Sequence, residues 1–134
     1  GRHSLPIPAV RSILPDALLA WSAHGVPEAV QAARAGADFI VLGTIWATAS
    51  HPGREPAGIR LVERAVRSVD APVVAIGGVT PERAASAVRA GGRGVAVLRG
   101  VWQAKDPVRA AGVYLDAMTD ALRVSATPAG RKHD

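Results

Sequence analysis

The chain has 134 residues, enough for one hydrophobic core and short for a second domain. Hydrophobic residues at 49% and charged residues at 20% exclude a disordered chain, aromatics at 4% leave the core to Ala, Val, Leu and Ile, and the absence of cysteine excludes disulfides, Cys-ligated zinc and thiol catalysis. The net charge of +5 comes from Arg residues scattered along helical segments with no aromatic-and-basic stripe, so no nucleic acid is expected as a partner.

In chain order, a short leading helix is predicted over 8–14, followed by a nearly continuous apolar run at 17–21. A helix over 27–35 follows, with Val26, Val30 and Ala33 on its apolar face and Gly36 as its stop. A second apolar run occupies 39–42. The helix over 58–68 turns Ile59, Leu61, Val62 and Val66 inward and Arg60, Glu63, Arg64 and Arg67 mostly outward. A third run spans 72–76. Thr80 then reads as an N-cap and Pro81 as the first helical turn, opening a helix that ends at Ala90 before Gly91-Gly92. The fourth run is 94–98, and Asp106-Pro107 opens a last helix to about Leu122. Residues 1–123 form the expected domain, and 124–134 a polar, solvated tail.

The four apolar runs have the length and composition of strands buried on both faces of a parallel sheet, with a β-branched bias at Val73-Val74 and at Val95 and Val97. Strands alternating with helices imply right-handed βαβ units and an α/β fold. Either half of an eight-stranded (β/α) barrel or a small open sheet satisfies the pattern. Four strands cannot close a barrel, so a half-barrel would leave its edge strands and apolar surface unpartnered.

In barrels of this kind the functional groups lie at the carboxyl ends of strands and in the loops that follow. After the first strand come Ser22 and His24, two residues apart and so on one side of an extended segment. They suit ligand orientation or proton transfer, or else the capping of a nearby loop, and no acid completes a hydrolytic triad. After the second strand, the segment from Gly43 to Gly53 is rich in hydroxyls and small residues. Thr48 and Ser50 are candidate donors to phosphate oxygens, His51 a candidate neighbour of an anion, and Trp46 a packing residue. After the third strand, Gly77-Gly78 before the Thr80-Pro81 helix start allows backbone N–H groups to approach an anion, although a plain tight turn reads the same way. Leu98-Arg99-Gly100 after the fourth strand is a second such turn with a cation attached. Two glycine turns after neighbouring strands point to phosphate binding more specifically than either alone.

Four collinear segments, Ser22-Ala23-His24, the run from Gly43 to Ser50, the run from Pro72 to Pro81 and Gly94-Val95-Ala96-Val97, resemble the thiamine phosphate synthase superfamily, which includes the TenI branch of thiazole tautomerases. The resemblance implies a partial (β/α)8 TIM barrel, with this chain as its carboxyl-terminal half, strands five to eight. It implies a thiazole phosphate ligand on Thr48, Ala49 and Ser50, its phosphate on backbone at Gly78, Leu98 and Arg99, and Ser22 facing a pyrimidine diphosphate. The family reactions are coupling of hydroxymethylpyrimidine diphosphate with thiazole phosphate, or tautomerisation of the thiazole phosphate. The synthase branch uses magnesium, but the position of one magnesium aspartate falls at Ser4, so magnesium ligands are not expected to be retained. A synthase lysine falls at His51, a serine of the last loop at Arg99, and the tautomerase histidine at Thr44, which leaves His24 and His51 as the expected catalytic proton carriers.

The rival expectation is a non-catalytic half-barrel fragment or an assembly subunit. The first residue is Gly1 and the one methionine is Met118, so a fragment, a processed product or a gene read from an unusual start is expected. A homo-oligomer or a complementing amino-terminal half-barrel is the expected macromolecular partner. No apolar run approaches the roughly 18 residues that cross a bilayer, and no signal peptide is visible, so no membrane partner and a cytoplasmic location are expected.

Overall fold

The structure, a computed structural model, describes residues 4–49, 53 and 55–126. Its elements are α1 (Ile7–Ile13), β1 (Ala20–Ala23), α2 (Val26–Arg34), β2 (Phe39–Leu42), α3 (Ile59–Ser68), β3 (Val73–Ile76), α4 (Pro81–Arg89), β4 (Gly94–Ala96), α5 (Arg99–Trp102) and α6 (Pro107–Ala126). The strands pair in parallel in chain order, β1-β2-β3-β4. An order that never reverses, with crossovers of one hand, collects the connecting helices on one face of the sheet. Burial follows suit: Ile40 and Leu42 of β2 and Val73 and Ala75 of β3 share one core cluster with Ala29 and Ala32 of α2 and Leu61, Val62 and Ala65 of α3. This is an α/β fold with a four-stranded parallel sheet, wound as a partial TIM-like barrel is.

The opposite face has no covering layer among the described residues. Ser22, Val41, Val74 and Gly94 stand in register across the four strands, and none of them is buried. Ile76, two residues on from Val74, is 39% exposed. The expectation of burial on both faces is therefore corrected. An apolar run reports what a strand is made of, whereas coverage requires a second layer of chain.

Several local features depart from the pattern reading. The first strand is Ala20–Ala23 rather than 17–21, because Arg11 donates to the Ala17 carbonyl at 2.6 Å and the Leu19 N–H is taken by Asp38 at 2.6 Å. Those bonds hold residues 17–19 as a loop and carry Ser22 into the strand itself. The buried positions of α2 are Ala29 and Ala32, while Val30 is half-buried. Small side chains let this helix approach the sheet closely, and a methyl-poor contact of that kind leaves little hydropathy signal. The fourth strand stops at Ala96, α5 was not anticipated, and the last helix continues to Ala126. The start of α4 is as predicted: Thr80 Oγ1 accepts from the Arg83 N–H at 3.3 Å, with Pro81 in the first turn. Beyond its end Gly91 takes φ +92°, the left-handed conformation that closes a helix without a Cβ penalty.

Candidate functional site

Glycines weld the loops at the carboxyl ends of β2 and β3. The Ile45 N–H donates to the Ile76 carbonyl at 3.0 Å and the Trp46 N–H to the Gly77 carbonyl at 3.1 Å. A Cβ on Gly77 (φ +97°) would lie 3.0 Å from Thr44 Cα, and one on Gly78 (φ +62°) 2.9 Å from the Trp46 carbonyl oxygen. The two glycines thus supply both a left-handed backbone and the clearance for a neighbouring main chain.

A cleft of about 410 Å³ opens between three loops. Thr44, Ala47, Thr48 and Ala49 line it from the β2–α3 loop, Gly77 to Thr80 from the β3–α4 turn, and Val97 to Gly100 from the β4–α5 turn. Both glycine turns therefore face one space. Among the described residues, no acceptor takes the N–H of Gly78, Val79, Thr80, Arg99 or Gly100. Arg83 and Arg99 also line the cleft, and no lining residue carries a carboxylate. Unpaired N–H groups and guanidinium groups in a lining without carboxylates suit an anion. The same lining offers magnesium no hard anionic ligand, and among the described residues no three His, Asp or Glu side chains gather as a metal site.

Arg83 braces the turn. Its Nη1 donates to the Gly78 carbonyl at 2.6 Å, and its guanidinium lies 5.7 Å from the centroid of the Trp46 ring. Trp46 packs as expected, and it also carries the cation. Pattern reading passed over Arg83, although a basic residue in the first turn of a helix opposes the macrodipole and so invites a reason. Beside it the Thr80 hydroxyl donates to Glu82, and that bond leads the causes holding the Glu82 carboxyl below its ordinary range.

Of the sequence-predicted site residues, Thr48, Ala49, Gly78, Leu98 and Arg99 line the cleft, as does Thr44. Ser22 and His24 do not line it. Ser22 lies on the open sheet face. His24 is exposed, its backbone N–H donates to the Glu28 carboxylate at 2.8 Å, and its Nδ1 stands 2.7 Å from the Gly43 carbonyl oxygen. A carbonyl can only accept, so Nδ1 carries the proton and the neutral ring has its lone pair at Nε2. Ser50 and His51 lie outside the described residues. A larger cleft of about 660 Å³ sits at the other end of the sheet, where the segments leading into β2 and β3 pass α2 and α3. It has no glycine turn, and active sites of (β/α) barrels form at the carboxyl ends of strands.

The winding and the end of the sheet at which the loops converge define an α/β protein of partial TIM-like barrel type, with its candidate site at the strand carboxyl ends. The profile of the thiamine monophosphate synthase family matches residues 1–101, and the chain belongs to that family. It is 43% identical over 123 residues to the thiamine biosynthesis bifunctional protein ThiM/ThiE of Symbiobacterium thermophilum, covering 90% of this chain and 26% of that protein. It is 37% identical over 127 residues to the thiamine-phosphate synthase of Chloroflexus aurantiacus, covering 94% of this chain and 58% of that one. Among solved structures, thiamine phosphate pyrophosphorylase from Pyrococcus furiosus superposes with a TM-score of 0.81 at 28% identity, covering 90% of this chain and 57% of that one. The chain thus spans between about a quarter and three fifths of the length of these relatives.

Proposed function

We propose that this chain is strands five to eight of a thiamine phosphate synthase-type barrel in the cytoplasm, and that its cleft binds the phosphate of thiazole phosphate. The observation that carries the reading is the opening of two glycine turns, with unpaired N–H groups and Arg99, into one space that has no carboxylate in its lining. Family membership supports a role in thiamine biosynthesis. In this reading the backbone at Gly78, Leu98 and Arg99 holds the phosphate, and Thr48 and Ala49 flank the thiazole ring, with Ser50 beside them. Ser22 faces the second substrate from the open sheet. The remaining four strands come from further chain or from a second molecule, a second copy of this chain included.

Two reactions fit the resemblance. In the synthase, the thiazole nitrogen forms the new bond to the pyrimidine methylene carbon and diphosphate departs with the electron pair. The synthase branch of the family uses magnesium for that leaving group, and the residues of this cleft do not fit the ion. In the tautomerase, a proton moves on the thiazole and no diphosphate or metal takes part. His24 and His51 are the proton carriers we propose for that branch.

Calorimetric titration of the 134-residue protein with thiazole phosphate tests the reading. Saturable 1:1 binding is expected, weakened about tenfold by Arg99→Ala, the loss of one charge-assisted contact of about 1.4 kcal/mol. Absence of saturable binding by the unsubstituted protein would overturn it and favour an assembly subunit without catalysis, a role the exposed apolar sheet face also suits.

A further inference from the structure

Tyr114 of α6 is the chain's only tyrosine and is 7% exposed. It does not line the cleft, yet it touches both of the turns that do. Its hydroxyl donates to the Val79 carbonyl at 3.0 Å. Its ring edge lies directly behind Gly100, where a Cβ would overlap the hydroxyl oxygen and stand 3.1 Å from Cζ. Burial, with a lesser contribution from the Glu82 charge, pushes the Tyr114 hydroxyl up from its ordinary value, so it remains a donor throughout the neutral range.

The peptide between Val79 and Thr80 is trans, so its C=O and N–H point in opposite directions. A hydroxyl that draws the Val79 carbonyl back toward α6 turns the Thr80 N–H the other way. We propose that Tyr114 is a positioning residue for anion binding: one phenol group sets the direction of the Val79–Thr80 peptide and, through its contact behind Gly100, the spacing between the two glycine turns. This rests on the phosphate reading above and adds to it what holds the donors in place before a ligand arrives. Preorganised donors bind an anion without paying the ordering cost at the moment of binding. The Arg83 bond to the Gly78 carbonyl braces the preceding peptide independently, so loss of Tyr114 affects one of two adjacent peptides rather than the whole turn.

The test uses inorganic phosphate and the 134-residue protein, with amide chemical shifts of Val79, Thr80, Arg99 and Gly100 followed during titration. In the unsubstituted protein the four amides are expected to shift along one saturation curve. Tyr114→Phe keeps the ring and removes only the hydroxyl; phosphate affinity is expected to fall about fivefold, with a diminished response at Thr80. Gly100→Ala crowds the hydroxyl from the other side and is expected to weaken phosphate similarly. The double variant Gly100→Ala/Tyr114→Phe should then lose less than the sum of the single losses, since the crowded atom is gone. Val62→Ala in α3, a core truncation away from the cleft, controls for general loosening and should leave phosphate affinity unchanged. Affinities within twofold of the unsubstituted protein for both single variants would overturn the role of Tyr114 and leave the phosphate reading standing. An equal loss in Val62→Ala would overturn it as well. A protein with no phosphate response at all would remove the reading beneath it.

Discussion

At the foot of β2 the Asp38 carboxylate accepts the Leu19 N–H at 2.6 Å and the Arg11 guanidinium at 2.7 Å, and these bonds hold its carboxyl below the ordinary value of 3.8. A carboxyl lowered by folding contributes stability that is fully present above its unfolded value and is lost as pH falls through the folded one. Asp38→Asn should therefore lower the melting temperature at pH 7, and the gap to the unsubstituted protein should close as pH is taken well below 3.8. A gap that persists in acid would show that the pair acts through packing instead. Arg11 was visible in the sequence only as one of many arginines. Its bonds to Pro15, Ala17 and Gly36 carbonyls join segments that the chain brings together only by folding.

Among the elements, α4 is the one whose start was most legible, because Thr80-Pro81 states a cap and a first turn in two residues. Thr80→Ala should cost about 1 kcal/mol in chemical denaturation and Thr80→Ser should recover most of it, the range for a side-chain N-cap. An alanine variant as stable as the parent would mean that neither the cap nor the Thr80 bond to Glu82 contributes to stability. The element least legible was β1. Leu18, Leu19, Ala20 and Trp21 are all apolar, so hydropathy alone could not say where the extended segment begins, and side-chain bonds from Arg11 and Asp38 decided it. The short α5 was equally hidden, since Gly100 within it reads as a turn; the contact with Tyr114 gives that glycine its reason.

For the molecule as a whole, the sheet has one covered face and one uncovered face, and neighbouring residues of β3 sample both. Val73 is 2% exposed and belongs to the main core cluster, whereas Val74 lies half-exposed in the open row with Val41 and Gly94. Val73→Asp should cost about 3 kcal/mol or more, the burial of a charge without a partner, and Val74→Asp about 1 kcal/mol or less. Urea midpoints of the two variants compare the faces directly. Equal penalties would mean that the open face is covered in solution, as a second copy or a complementing half-barrel would cover it.

While the order of the strands in the sheet came from the fold, alternation of apolar runs and helix-period segments was enough to specify a parallel α/β chain and the loop segments that follow its four strands. Those features depend on local pattern and on the near-universal hand of the crossover, both carried by neighbours in sequence. Thr48, Gly78 and Arg99 are legible for the same reason, since each lies in a loop or turn that follows a strand, whereas Ala49 comes only from the family resemblance. Which of those loops share a space, which face of the sheet has a covering layer, and which distant side chains support the site were settled by the folded chain alone. Arg83 reaches Gly78 across a helix turn, Tyr114 reaches Val79 from 35 residues away, and His24 turns to the Gly43 carbonyl. Contacts of that kind arise from the packing of elements against one another, and the residues that make them have no periodicity by which a one-dimensional pattern could mark them.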